Sequence, residues 1–339
     1  MKTWEIQEQF GLEHLRRVER DMAEPADNEV LVKITAVSLN YRDLMMVEGR
    51  YNPKLSLPLV PVSDGVGRIV ACGKSVRQFK TGDRVCGMLV QGWEQGKPSK
   101  VLMRQHTLGG PLDGMLQEYR TLPAEGVAKV PDYLSDEQAC TLPCAALTAW
   151  SALHNLSTLS ENDTVLCQGS GGVSVFALLF AVAAGARVIA MSSSAEKEQQ
   201  LHALGAKSTI NYRLEPNWVS KIKELTGGEG VDHIIEVGGS QTIENSLASI
   251  KEGGTISIIG VLSGSKASHS LIPILMKQVT LQGVFVGHKK SFLDMLDFME
   301  QKKIEPVIDT VYSFDKSIEA FHHLKKATHF GKIVVRIHE

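Results

Sequence analysis

The stretch Leu166–Ser194, LCQGSGGVSVFALLFAVAAGARVIAMSSS, decides how the rest of the chain is read. An apolar run stops at a glycine cluster, Gly169 to Gly172. An apolar stretch of helical length follows, then Gly185, a second apolar run and three serines. Strand, glycine turn, helix and second strand is the order in which a glycine motif signals a phosphate site rather than a chance turn. The first glycine permits the tight turn, and the second lets a pyrophosphate approach the backbone. The helix N-terminus then offers N–H groups to phosphate oxygens. Gly169, Gly171, Gly172 and Val173 are therefore candidate cofactor contacts. Ser174 stands where the third glycine of such a motif would be; serine is small, so a slightly wider helix–strand fit is expected rather than lost binding.

Outward from this unit, strands and helices alternate. Strands are expected at 164–168, 187–191, 208–210, 231–236, 255–259 and 280–286. Helices are expected at 174–184, 195–204, 218–226 and 242–250. That alternation specifies an α/β fold with a doubly wound, six-stranded parallel sheet of the Rossmann type. The first 125 or so residues read instead as short β-strands, as in NEVLVKITAVSLN from Asn28, divided by glycine turns. From Ser135 the pattern turns helical, with Ser135 and Gln138 spaced as a capping box. Beyond the sheet, SFLDMLDFMEQKK and SIEAFHHLKKA read as helices and GKIVVRI as a closing strand. The expected organisation is a β-rich domain over 1–124, completed by 288–339, and a dinucleotide-binding domain over 125–287.

Composition narrows the function. The chain has 339 residues, 22% of them charged, and a net charge of -2, which gives no electrostatic case for nucleic acid or an anionic membrane as partner. The longest apolar run, Val173 to Ala184, is interrupted by Ser174 and falls short of the about 20 residues a membrane helix needs. The N-terminus has no apolar signal core, and the cysteines are odd in number (5), so reduced thiols in a cytoplasmic protein are expected.

The second strand of the glycine unit ends without the carboxylate that usually holds an NAD ribose. Ser192, Ser193 and Ser194 stand at its tip, with Lys197 one helical turn on. Hydroxyls and a cation suit a 2′-phosphate, so NADP(H) is the expected cofactor. A serine N-cap followed by a solvated lysine explains the same residues, and the two readings are compatible.

Several segments in this order and spacing, SLNYRDL, PLVPVSDGVGRIVACGKSVRQFKTGDRV, TLPCAALTAWSAL, LGAKSTINYR, GGEGVDHIIEVGG and HFGKIVV, resemble the medium-chain dehydrogenase/reductase superfamily. The resemblance runs over nearly the whole chain and is closest to the zinc-free branch near quinone reductases. It implies a GroES-like catalytic domain beside the Rossmann domain, with the active site in their cleft. Zinc-dependent relatives carry a cysteine where Asn40 stands, His-Glu where Ser63-Asp64 stands, and a third ligand at a position matching Cys144. Asn40 and Ser63 are poor zinc ligands, and the cysteine-rich lobe of those relatives is missing, so no metal is expected. Cys144 is then most simply a buried helix thiol. By the same resemblance, Asn40 and Thr148 lie near the nicotinamide, and Lys197 and Tyr212 contact a 2′-phosphate. Val261, Phe285 and Val286 fall where backbone groups meet the carboxamide.

Without a metal, hydrogen-bond donors must stabilise the charge that grows on an acceptor oxygen. Asn40, Tyr41, Tyr51 and Ser63 are the candidates, with Tyr51 favoured because the resemblance implies an aromatic hydroxyl near that position; Arg42 is a further donor, but Arg42 and Asp43 are equally explained as a local ion pair. The expected function is NADPH-dependent reduction of a small enone, quinone or carbonyl compound. An NADP-linked alcohol dehydrogenase is the rival of the same class, and an NADPH-binding structural or regulatory protein the rival of another. His288, His322, His323 and His329 lack metal-ligand spacing, and FHHLKK reads as a solvated face. The resemblance also implies dimers that pair the last strand of this sheet across a two-fold axis; the apolar segment TLQGVFVG suits that pairing and would be an exposed sheet edge without it, so a homodimer is expected.

Overall fold

The computed structural model describes residues 1–266 and 268–338. It divides into two compact units: residues 1–145 together with those from 288 onward, and Ala146–Gly287.

In the first unit, seven strands form one sheet. Strand Glu29–Ser38 lies at its centre, pairing antiparallel with Asp64–Cys72, with Tyr119–Pro123 and with Lys332–Arg336. The last pairing, Val335 opposite Val37, is what returns the end of the chain to its beginning. The apolar positions of these strands bury Ile34, Val37, Ile69 and Val335 with Val62 and Met115 from the connecting segments and Leu44 and Phe321 from two covering helices. Each such fully buried side chain contributes roughly 1.5–3 kcal/mol. The unit reaches Ala145, beyond the boundary near 124 read from the sequence. The cause is pairing: Val127–Lys129 adds to strand Arg84–Gly87, so the following helical segment stays with the first sheet. That segment begins on the expected capping box, with Ser135 Oγ accepting from Gln138 N at 3.2 Å and Gln138 Oε1 from Ser135 N at 3.0 Å. It is not one regular helix, because a π-helical stretch follows at Leu142–Ala146. Pro143 within it has no N–H to give, which breaks the regular ladder.

Among the described residues the second unit holds six strands: β1 (Thr164–Cys167), β2 (Arg187–Ser192), β3 (Ser208–Asn211), β4 (Val231–Glu236), β5 (Ile250–Ile258) and β6 (Thr280–Gly283). All pair in parallel, in the order β3-β2-β1-β4-β5-β6. Helices α1 (Gly172–Ala183), α2 (Ala195–Ala203), α3 (Trp218–Leu225), α4 (Ile243–Ser249) and α5 (Ile272–Lys277) make the crossovers. Strand order reverses between β1 and β4, and in doubly wound sheets ligands bind beyond the strand ends at that point. Two strands depart from the expected bounds. β5 starts at Ile250, running through the Gly253-Gly254 pair that reads as a turn. β6 stops at Gly283; Val284 N still reaches Ile258 O, after which the chain leaves the ladder.

Candidate functional site

In the first unit, chemistry-bearing side chains converge from four distant segments. Asn40 ends the central strand region and N-caps helix Tyr41–Val47. Its backbone N–H donates to Asp43 Oδ2 at 2.8 Å, the local contact expected of an acid three residues after an N-cap. Asp43 is fully buried, and Oδ1 also accepts from Ser63 N at 3.2 Å and Arg42 Nη1 at 3.4 Å. The Arg42–Asp43 ion pair is therefore present, while the guanidinium also donates to Leu108 O and lies over the Tyr51 ring at 5.6 Å.

Ser63 follows Val62, a β-branched residue held at φ 74°. That conformation costs of the order of 1–3 kcal/mol and persists only where its surroundings impose it. Here Met115 N donates to Val62 O at 2.7 Å, and the side chain is fully buried. The Ser63 hydroxyl donates to Asp64 Oδ1 at 2.9 Å, and Cys144 N donates to Oδ2 at 3.2 Å. Burial pushes the Asp64 carboxyl up to about 6; the nearby Lys332 charge opposes that rise and Asp43 adds to it. Burial and then the Asp64 charge push the Cys144 thiol far above its ordinary value.

Lys332, at the start of the closing strand, is 3% exposed. Its ammonium donates to Leu39 O at 2.6 Å and to Asn40 Oδ1 at 2.5 Å. Asn40 is itself nine-tenths buried, and its Nδ2 has no complete hydrogen bond among the described residues. The amide lies close enough to Asp64 to favour its charged form. Of the four sequence candidates for catalysis, Asn40 and Ser63 thus meet at one cluster. Tyr41 packs against the core with Arg50 over its ring at 5.8 Å, and Tyr51 is exposed beside Arg42.

In the second unit, Gly169 has φ 76°, which only glycine adopts cheaply, and Gly171 N-caps α1 in extended conformation. A Cβ added at either position would meet nothing within 4 Å, so the turn lies open where a pyrophosphate would rest. Ser174, at the third glycine position, donates from Oγ to Gln168 O at 2.6 Å. The hydroxyl ties α1 to the end of β1, so the fit is closed by a hydrogen bond.

At the tip of β2, Ser192 is buried and its hydroxyl donates to Ser194 O at 2.9 Å, turned inward. Ser194 is the N-cap of α2, accepting from Lys197 N at 3.4 Å. Tyr212 N donates to Ser192 O at 3.1 Å, which brings the half-exposed Tyr212 beside Ser193 and the strand tip. Thr148 and Val286 are buried, Phe285 is partly so and Val261 is exposed.

Two residues of these sites escape the sequence reading, Lys332 and Glu236, and Asp43 is read there only as the ion-pair partner of Arg42. Glu236 is fully buried at the end of β4. Its carboxylate accepts from Gly238 N at 2.8 Å, Gly239 N at 3.0 Å, Thr242 Oγ1 at 2.6 Å, Gln168 Nε2 at 3.0 Å and Ser246 Oγ. It couples the residue before the glycine turn to the loop after β4. The available signal was a charge abutting an apolar run: Glu236 after Ile234-Ile235, and Lys332 before Ile333-Val334-Val335. Among the histidines, His288 accepts from Ser291 N at 2.9 Å as a helix cap. His322 is exposed, but His323 is bonded to Tyr312 Oη at 3.1 Å, so FHHLKK is only partly a solvated face.

Comparison with known proteins gives consistent matches. Residues 26–132 match the alcohol dehydrogenase GroES-like domain, and residues 172–301 match the zinc-binding dehydrogenase family. A zinc-type alcohol dehydrogenase-like protein of Schizosaccharomyces pombe is 40% identical, over 96% of this chain and 96% of its own. A quinone oxidoreductase of Sus scrofa is 28% identical over 96% of this chain and 95% of its own. A Sinorhizobium meliloti structure described as an alcohol dehydrogenase superposes with TM-score 0.94 at 40% identity, covering 99% of this chain and 98% of that one. A mycobacterial protein solved with NADPH gives TM-score 0.82 at 26% identity, covering 99% and 100%.

Proposed function

The chain belongs to the medium-chain dehydrogenase/reductase superfamily and is an oxidoreductase, and from that premise we propose that it reduces a small enone, quinone or carbonyl compound with NADPH and without zinc. The observation that carries this reading is the Lys332 ammonium on Asn40 Oδ1. At the positions where zinc-dependent relatives offer Cys, His and Cys, this chain offers an amide oxygen already bonded to a cation, a hydroxyl donating to Asp64, and a thiol whose deprotonation burial opposes. A zinc site needs three unprotonated donors turned toward the metal, and a fixed positive charge among them repels it.

NADPH supplies the hydride when bound. The open glycine turn fits its pyrophosphate, and Ser193, Lys197 and Tyr212 at the β2 tip fit its 2′-phosphate. The mycobacterial relative solved with NADPH supports this cofactor. As hydride arrives, negative charge develops on the acceptor oxygen. Asn40 Nδ2, a nearly buried donor with its acceptor side taken, stabilises that charge. Such help is modest beside a Lewis acid, which suits acceptors that are already activated. Oxidation of an alcohol with NADP⁺ is the second reading, favoured by the alcohol dehydrogenase name of the Schizosaccharomyces pombe relative.

The protein works as a homodimer. The β6 strand ends the sheet, and α5 beside it leaves Leu271, Ile272, Leu275 and Met276 71, 67, 74 and 71% exposed. Such a stripe is what a second subunit covers. All five cysteines are free thiols, which suits the cytoplasm, and among the described residues no helix is long and apolar enough to cross a membrane.

The test is NADPH oxidation across quinones, enones, aldehydes and ketones, with NADH beside it. Turnover on one activated class with NADPH preferred is expected. Activity confined to NADP⁺ with alcohols would select the second reading.

A further inference from the structure

We infer that Lys332 is a positioning residue: its buried ammonium holds the Asn40 side-chain amide in one of its two orientations, so that Nδ2 and not Oδ1 is presented to the acceptor oxygen. The inference deepens the reading above and rests on it, because it takes Asn40 as the donor.

An asparagine amide is nearly symmetric in shape. Left to itself, it can present either a donor or an acceptor. In the wrong orientation Asn40 would point an oxygen lone pair at a developing oxyanion and oppose the reaction. Something must choose. Asp43 closes a capping box with Asn40: its carboxylate accepts from the Asn40 backbone N–H at 2.8 Å, and its own backbone N–H faces the Asn40 side chain, a neutral contact that favours Oδ1 there. Lys332 Nζ, 2.5 Å from Oδ1, adds a charge-assisted bond that fixes the same orientation. A flipped amide would set NH₂ against NH₃⁺, losing a charge-assisted hydrogen bond and facing donor with donor.

Two features indicate that the ammonium is kept for this purpose. Lys332 is 3% exposed and spends its donors on two neutral carbonyl-type oxygens, those of Leu39 and Asn40. The carboxylates that compensate its charge, Asp64 and Asp43, act on it from a distance. A direct ion pair would be the cheaper arrangement for a purely structural lysine. The second feature is Nδ2, which completes no hydrogen bond among the described residues although the Asp64 carboxyl lies near enough to feel the amide. A buried donor left short of a full hydrogen bond is disfavoured unless a partner arrives with a ligand. The ammonium also draws electron density through the amide, which strengthens Nδ2–H as a donor by the cooperativity of linked hydrogen bonds. A positive charge thereby reaches the acceptor through a neutral group.

The experiment is a double-mutant cycle on Asn40→Ala and Lys332→Met, with Lys332→Arg as the conservative variant. It is read as kcat for NADPH oxidation by 1,4-benzoquinone and 2-cyclohexenone, with NADPH affinity by fluorescence alongside. Removing Asn40 is expected to lower kcat by about 10- to 100-fold, and removing Lys332 by about tenfold. The double variant should be no slower than Asn40→Ala alone, Lys332→Arg should recover most of the loss, and NADPH affinity should hold within about threefold throughout. A second readout needs no turnover. In protein labelled with ¹⁵N-asparagine, the Asn40 NH₂ pair should stay resolved and shifted in wild type and Lys332→Arg, and collapse toward free-amide values in Lys332→Met. If Lys332→Met does not fold, Lys332→Gln takes its place in the cycle and the spectrum. Multiplying losses in the double variant, or an unmoved NH₂ pair without the ammonium, would overturn the role of Lys332 alone. Unchanged turnover in Asn40→Ala would overturn the donor role of Asn40 and the inference with it.

Discussion

Asp64 shows how much a single buried group can report. Its carboxyl is held at about 6, above the usual value near 4, chiefly because burial disfavours its charge. A carboxyl raised on folding binds its proton more tightly in the native state. Stability is therefore highest below the unfolded value and falls as pH rises from about 4 to about 6. Asp64→Asn should flatten that slope: melting temperatures measured from pH 4 to 7 should converge with wild type at the acid end and exceed it, or fall less steeply, toward pH 7. A variant whose melting temperature keeps the wild-type slope would show that the group titrates elsewhere. At this scale the sequence was legible only in part. Asn40 and Ser63 stood out because they replace expected metal ligands, whereas Lys332 is recognisable only once segments nearly three hundred residues apart have met, and the tie from Asp43 to Ser63 only once the chain has folded back on itself.

Elements were more legible, because parallel strands flanked by helices repeat an apolar pattern that survives without tertiary information. β4 begins and ends where the sequence places it, and β1 to β3 differ at their ends by single residues. The misses have local causes. A glycine pair inside β5 imitates a turn, and a proline after Ser135 splits an amphipathic run into π-helical pieces. The glycine turn allows a prediction that separates binding from folding. Gly171 has ordinary extended angles and open space around its missing Cβ. Gly171→Ala should leave the melting temperature of the free protein within about 1 °C and weaken NADPH by at least about tenfold, by filling the space of the phosphate. A large loss of stability would mean the glycine serves packing. At the β2 tip, Lys197→Ala should weaken NADPH by about 10- to 100-fold and leave NADH nearly unchanged, since only NADPH carries the phosphate. Equal losses for both cofactors would contradict the 2′-phosphate reading.

For the molecule as a whole, the sequence identified two domains and the return of the chain end to the first. It misplaced the border, because the pairing of Val127–Lys129 with an earlier strand cannot be seen from local pattern. The exposed stripe on α5 and the edge strand β6 belong to this scale. In the proposed homodimer, wild type should sediment at twice 37.1 kDa and Leu275→Glu at a single chain, with the melting temperature lowered. A wild-type mass of one chain would overturn the homodimer, and an unaltered dimer mass in the variant would overturn this face as its contact.

The central claim is hydride transfer without zinc, with an ammonium-held amide where a metal would otherwise act. The most direct measurement is turnover of NADPH with an activated acceptor by protein whose metal content has been determined, before and after exhaustive chelation. The account predicts less than about a tenth of an equivalent of zinc and full activity after chelation. One equivalent of zinc per chain, with activity that disappears on its removal and returns on its addition, would contradict it.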